Sequence, residues 1–143
     1  MIDELEFRYA VDSDVPYLAK MNQQLIRDEG HRNKMTLPEL EQRMTNFLRK
    51  EYDAVIACFG KTDIGYALYR QDSEWLYLRQ IFVIEEMRHK GFGRKFVEWL
   101  INNPWKKCKR IRTDVLVDNT TGIDFWKAVG FKKYCITLEM ENQ

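Results

Sequence analysis

Residues 88–94 read Arg88-His89-Lys90-Gly91-Phe92-Gly93-Arg94, between an apolar run ending at Val83 and a helical pattern reaching about Asn102. Two glycines one residue apart, where a strand turns into a helix, free the backbone to curl and to expose consecutive N–H groups. The first N–H groups of a helix lack internal partners, and the macrodipole adds roughly half a positive charge there. The stretch therefore predicts a cradle for a phosphate-like anion, with Arg88, Lys90, Arg94 and Lys95 as mobile charge around it. Rival glycine motifs fail on residues. The dinucleotide fingerprint needs a third glycine where this chain has Phe96, and no Gly-Lys-Ser or Gly-Lys-Thr of a P-loop occurs.

On its N-terminal side, Trp75 to Ile84 is the longest strand candidate, apolar on both parities over its second half, so it belongs near the centre of a sheet. On the other side Phe92, Phe96, Val97, Leu100 and Ile101 form a helical stripe that Asn103-Pro104 stops. Upstream, an opening strand alternates over residues 4–10. A helix follows through Val15, Leu18, Ala19, Asn22, Leu25 and Ile26 to about Asp28, and Thr36-Leu37-Pro38-Glu39 is a capping box opening a second helix that ends near Lys50. Ala54 to Phe59 and Ile64 to Arg70 are strands joined by a hairpin loop at Gly60–Asp63. Downstream, Ile111 to Val117 is a further strand, Asp118-Asn119 opens a last helix stopped by Gly130, and Tyr134, Ile136, Leu138 and Met140 alternate as a closing strand. The order β-α-α-β-β-β-α-β-α-β predicts a layered α/β fold with a mixed sheet, in one domain over residues 1–143.

With 45% apolar residues in 143, the chain can bury a core of ordinary size. Its acidic start, Met1-Ile2-Asp3-Glu4, leads no apolar stretch, and no run approaches a membrane span, so a cytoplasmic protein without a membrane partner is expected. Cys58, Cys108 and Cys135 form an odd set with no C-x-x-C pair, which argues against both a disulfide framework and a zinc site, and no metal is expected. The net charge of +1 hides an asymmetry: residues 88–112 hold nine Lys or Arg against one acid, and residues 1–63 hold nine against twelve. The first region favours a multiply anionic partner. Lys106 to Arg112 lacks interleaved aromatics, so it reads as a solvated connection, and no nucleic-acid partner is expected.

Arg88-x-x-Gly91-x-Gly93 after a long strand resembles the acetyl-CoA motif of the GNAT superfamily of N-acetyltransferases. Asn119 to Phe131, NTTGIDFWKAVGF, is similar to that family's second signature, N-x-x-A-x-x-F-Y-x-K-x-G-F. The resemblance extends over nearly the whole chain and implies a GNAT-like single domain with a mostly antiparallel central sheet flanked by helices. It implies that the backbone from Arg88 through His89, Lys90, Gly91, Phe92 and Gly93 to Arg94 grips the pyrophosphate of acetyl-CoA. Ile81, Phe82 and Val83 would pair with pantetheine as with another strand, and Asn119 and Trp126 would line the thioester end. It implies no metal, and it leaves a homodimer open.

Two departures matter. The family's alanine is Gly122 here, and the tyrosine often proposed to protonate the departing thiolate is Trp126, whose indole N–H is no acid near neutral pH. Tyr134 or water is expected to supply that proton. Acetyl transfer needs the amine deprotonated and the developing oxyanion stabilised, the latter by a backbone N–H near Val83. Tyr77 stands where some family members carry a glutamate base, so Glu29 and His31, in the loop that walls the acceptor site in the family, are the candidate bases. Arg79, on the Tyr77 parity, is a candidate for an acceptor carboxylate. The competing reading is a non-catalytic acyl-CoA sensor of the same fold, favoured by Trp126.

Overall fold

The computed structural model describes residues 4–143; the acidic start at Met1–Asp3 lies outside the described residues. The elements are β1 (Leu5–Tyr9), α1 (Val15–Glu29), α2 (Leu37–Arg49), β2 (Tyr52–Phe59), β3 (Thr62–Gln71), β4 (Leu76–Val83), α3 (Phe92–Asn102), β5 (Ile111–Thr113) and α4 (Thr120–Val129). One five-stranded sheet runs in the order β1-β2-β3-β4-β5. Its first four strands are antiparallel neighbours, and β4 pairs with β5 in parallel. A parallel pair needs a crossover, and α3 supplies it.

β2 reads apolar on both parities because both faces are covered. Ala54 and Ile56 join Val15, Leu18, Met21 and Leu25 of α1 and Met44 of α2, while Val55 and Ala57 join Phe96, Val97 and Leu100 of α3 and Trp126 of α4. The capping box forms as expected: Thr36 accepts from the Glu39 N–H at 3.3 Å, and the Glu39 carboxylate accepts from the Thr36 N–H at 2.8 Å. Such a cap is worth about 1 kcal/mol.

β4 changes phase along its length. The register against β3 shifts between Leu68 and Tyr69, which pair with Gln80 and Leu78 and leave Arg79 as an extra residue. Leu76 and Leu78 therefore pack under α3, while Phe82 packs under α1.

The closing strand expected over Tyr134–Met140 is not formed. Residues 131–143 carry no helix or strand, and Tyr134, Ile136, Leu138 and Met140 are 78–90% exposed. An alternating pattern specifies a strand only where a sheet edge and a covering face both receive it. Here β5 offers three paired residues instead of the seven expected, and the segment is held by the Tyr134 ring 4.7 Å from the Arg112 guanidinium and by Glu139 on Arg32 at 2.9 Å.

Candidate active site

After Val83 the chain makes a short 3₁₀ turn at Glu85–Met87 and reaches His89 at φ 61° and Gly91 at φ 81°, the cap of α3. The first helical bond is Lys95 N–H to the Gly91 carbonyl at 3.1 Å, no side chain caps the helix, and its first turn holds no acid. The N–H groups of Phe92, Gly93 and Arg94 thus have no intrahelical acceptor. Gly93 faces the Phe125 ring of α4, and a Cβ there would make only an ordinary contact at 3.4 Å.

The Arg88 side chain does not join this cradle. Its Nε donates to the Val83 carbonyl at 2.8 Å, an Nη donates to Asp28 at 2.6 Å, and the guanidinium lies 5.1 Å from the Phe82 ring centre. It fastens the end of α1 to the end of β4. Burial would raise the Asp28 carboxyl, but hydrogen bonds from Arg88 and Gln24 outweigh burial and hold it below the usual carboxylate range.

β4 and β5 pair only from Leu76 to Leu78, where Thr113 Oγ1 donates to the Leu78 carbonyl at 3.0 Å and Tyr77 donates to Asp114 at 2.9 Å. Beyond them the outer edge of β4 has no neighbouring strand. Ile84 N–H bonds to the Ile64 carbonyl, so alternation turns the polar groups of Phe82 toward β3 and those of Ile81 and Val83 toward the open edge. Gly65 is needed opposite, since a Cβ there would meet the Phe82 carbonyl at 2.2 Å.

Asn119 caps α4, its Oδ1 accepting from Gly122 N–H at 3.0 Å. Trp126 is 8% exposed and packed between Phe125 and Phe131, with ring centres 5.0 and 4.8 Å away. Glu29 and His31 are brought together at 2.9 Å, at the end of α1 that Asp28 ties to Arg88. Tyr134 stands apart from them, over Arg112 of β5. Burial and then the bond to Asp114 push the Tyr77 phenol up to about 12, so it is neither base nor ready acid at neutral pH.

A buried polar group under α1 and α2 was not anticipated. Tyr66 donates to Gln80 at 2.8 Å, Arg43 donates to Asn22 at 3.0 Å, and Asn22 is 1% exposed. The one sequence signal was Asn22 itself, a polar residue in the apolar stripe of α1. A concavity of about 650 Å³ is lined by Gln71, Glu74, Lys107, Cys108 and Arg110. It lies at the opposite end of β4 from the glycine turn and is not this cleft. Among the described residues no His, Cys, Asp and Glu cluster is arranged to hold a metal ion, and no helix is long and apolar enough to cross a membrane.

The chain's fold matches that of the aminoglycoside N-acetyltransferase AAC(6')-Iy in complex with CoA, at 16% identity and TM-score 0.77, over 98% of this chain and 95% of that one. The same enzyme with the bisubstrate analogue CoA-S-monomethyl-acetylneamine matches at 16% identity and TM-score 0.76, over 98% and 99%. A predicted acetyltransferase with acetyl-CoA from Clostridium acetobutylicum matches at 18% identity and TM-score 0.76, over 96% of each chain. No curated protein sequence is a significant match. The model of the acetyltransferase (GNAT) family matches residues 18–131, a span that includes both the glycine turn and α4. A left-handed turn feeding an uncapped helix, an unpaired strand edge beside it and that match agree, and the chain belongs to the acetyltransferase (GNAT) family.

Proposed function

We propose that the protein transfers an acetyl group from acetyl-CoA to a primary amine of a small molecule or peptide, by direct attack within a ternary complex. The observation that carries this reading is the presence at one end of β4 of two sets of unpaired backbone groups: the free N–H groups of Phe92, Gly93 and Arg94, and, on the open edge of β4, the Ile81 groups and the Val83 N–H, the Val83 carbonyl being taken by Arg88. The first suits a pyrophosphate, with the turn from Arg88 through Lys90 folding around it; the second suits the amides of pantetheine. Asn119 and the rim of Trp126 would stand at the thioester end.

The chemistry asks little more. The amine nitrogen attacks the thioester carbonyl, its proton passes to the Glu29–His31 pair, and the oxyanion is held by the Val83 N–H. The C–S bond then breaks, and the thiolate takes a proton from water, Tyr134 lying over Arg112 toward the Trp75 end of β4. A neutral amine is required, since an alkylamine is almost wholly protonated near pH 7. The packing of Trp126 between aromatic rings favours a second reading, an acyl-CoA sensor without transfer. Thiol release from acetyl-CoA with a panel of amines separates the two.

Binding is tested by thermal unfolding with acetyl-CoA, CoA, ATP and NADH. At about 100 times its dissociation constant a ligand adds roughly 2.7 kcal/mol, several degrees at this size. We expect stabilisation by both CoA species alone, abolished by Gly91→Glu, which sets a non-glycine residue at φ 81° and a carboxylate at the cradle. No shift with either CoA species would overturn the proposal. Free Cys58, Cys108 and Cys135 suit a reducing, cytoplasmic compartment.

A homodimer is also proposed, through residues 132–141. Paired antiparallel about Ile136, two copies would set Tyr134 against Leu138 on one face and Lys133 against Glu139 on the other, bringing the two exposed rows into lateral contact.

A further inference from the structure

We propose that the acceptor amine carries a carboxylate, held by Arg79 of β4 and Arg43 of α2, and that the acceptor is therefore a free amino acid or a comparable small amino acid analogue. This deepens the acetyltransferase reading and rests on it. Five other arginines, Arg8, Arg32, Arg70, Arg88 and Arg94, each have a carboxylate within 4 Å. Among the described residues Arg43 and Arg79 have none; Arg27, Arg49, Arg110 and Arg112 also lack one, but of these six only Arg43 and Arg79 lie over the same aromatic ring.

What they have instead is each other. Both guanidinium groups lie against the ring of Phe47, at 5.4 Å for Arg43 and 4.9 Å for Arg79. Arg79 touches the Tyr52 hydroxyl only at 3.5 Å. Arg43 spends one Nη on Asn22 at 3.0 Å, while its Nε is buried with no acceptor. Desolvation first, and the charge of Arg79 second, weaken the hold of Arg43 on its proton. Two neighbouring cations without a counter-ion, one with an orphaned buried donor, cost stability. A planar anion accepting from both would offset their mutual repulsion, and a carboxylate fits guanidinium donors in pairs.

The position links this anion site to the thioester. Arg79 is the extra residue of β4 at the register shift, two residues before Ile81, where the open edge begins. Two residues of strand span about 6.6 Å. A carboxylate on Arg79 thus leaves the amine of an amino acid within reach of the cleft. The same cations repel polycationic acceptors.

The test compares free amino acids with their α-amides and their decarboxylated amines, in the wild type, Arg79→Gln and Arg79→Lys. Arg79 is exposed, so neither variant disturbs the core. Thiol release should favour the carboxylates tenfold or more in kcat/KM, mainly through KM. That ratio should collapse toward one in Arg79→Gln and return in part in Arg79→Lys. Equal use of all three acceptor types by the wild type, or an unchanged ratio in Arg79→Gln, would overturn the proposal. If acetyl-CoA binds but no amine of any type releases thiol, the transfer reading fails instead. The carboxylate site is then decided by thermal unfolding of the CoA complex, in which amino acids and not their amides must stabilise the wild type and not Arg79→Gln.

Discussion

His89 shows how much of the turn is backbone rather than side chain. It adopts φ 61°, in the left-handed region that costs an L-residue roughly 1–2 kcal/mol, and its pattern position said nothing of this. Replacing it with valine, whose branched Cβ tolerates that region worse, should lower stability by about 1 kcal/mol. His89→Gly should leave stability equal or higher by up to about 1 kcal/mol, the relief being partly offset by a freer unfolded chain. Urea midpoints at constant m-value measure both. The reverse order would mean that residue 89 is not left-handed in solution. The left-handed turn was legible because glycine spacing reports backbone freedom. Side-chain roles were less so: the Arg88 guanidinium turns back to Asp28 and Val83, which no local pattern encodes. Gly122 in the place of the family's alanine has a local reason, since a Cβ there would stand 2.5 Å from the Asn119 amide that caps α4.

At the scale of elements, the helices and strands β1–β4 were readable because each pattern met the burial it implied. β5 and the closing segment were not, because a strand depends on neighbours that its own residues do not specify. The tie between α1 and the glycine turn is likewise a pairing across 60 residues. Because the Asp28 carboxyl is held below its ordinary value in the folded protein, its contribution is fully present above the unfolded value near 4 and is lost as pH falls through the lower folded value. Asp28→Asn should therefore flatten the acid limb of the stability curve below about pH 4 and leave the alkaline limb unchanged. Both groups are partly exposed, so the loss at neutral pH should stay under about 1 kcal/mol. Chemical denaturation between pH 2 and 7 reads it; an acid limb identical to the wild type's would show that the pair does not form.

For the whole molecule, the charge asymmetry and the exposed apolar row set how it meets other molecules. Tyr134, Ile136, Leu138 and Met140 form an alternating apolar strip that the chain itself leaves uncovered. In the proposed homodimer Ile136 meets its own copy, so Ile136→Lys would place two like charges face to face. Sedimentation should show dimer for the wild type at micromolar concentration and monomer for Ile136→Lys, with unchanged unfolding cooperativity. A wild type that stays monomeric at high concentration would remove the dimer. The fold class and the glycine turn at the head of α3 were legible from local sequence. The polar group under α1 and α2 was not, beyond Asn22 in its apolar stripe and Arg79 singled out on its strand, because Arg43, Asn22, Tyr66, Arg79 and Gln80 come from four separate elements.

The register shift in β4 has a consequence for how the site can change over time. Leu76 N–H bonds to the Arg110 carbonyl, so before the shift the even residues turn their polar groups away from β3 toward β5, and after it the odd ones turn theirs to the open edge. Deleting one residue there would heal the ladder and improve the sheet, yet it would exchange inside for outside along Ile81–Val83 and turn the wrong peptide groups to the cleft. Substitutions along this strand are graded in effect, but its length is all-or-nothing: the site tolerates drift in composition and forbids a change in count.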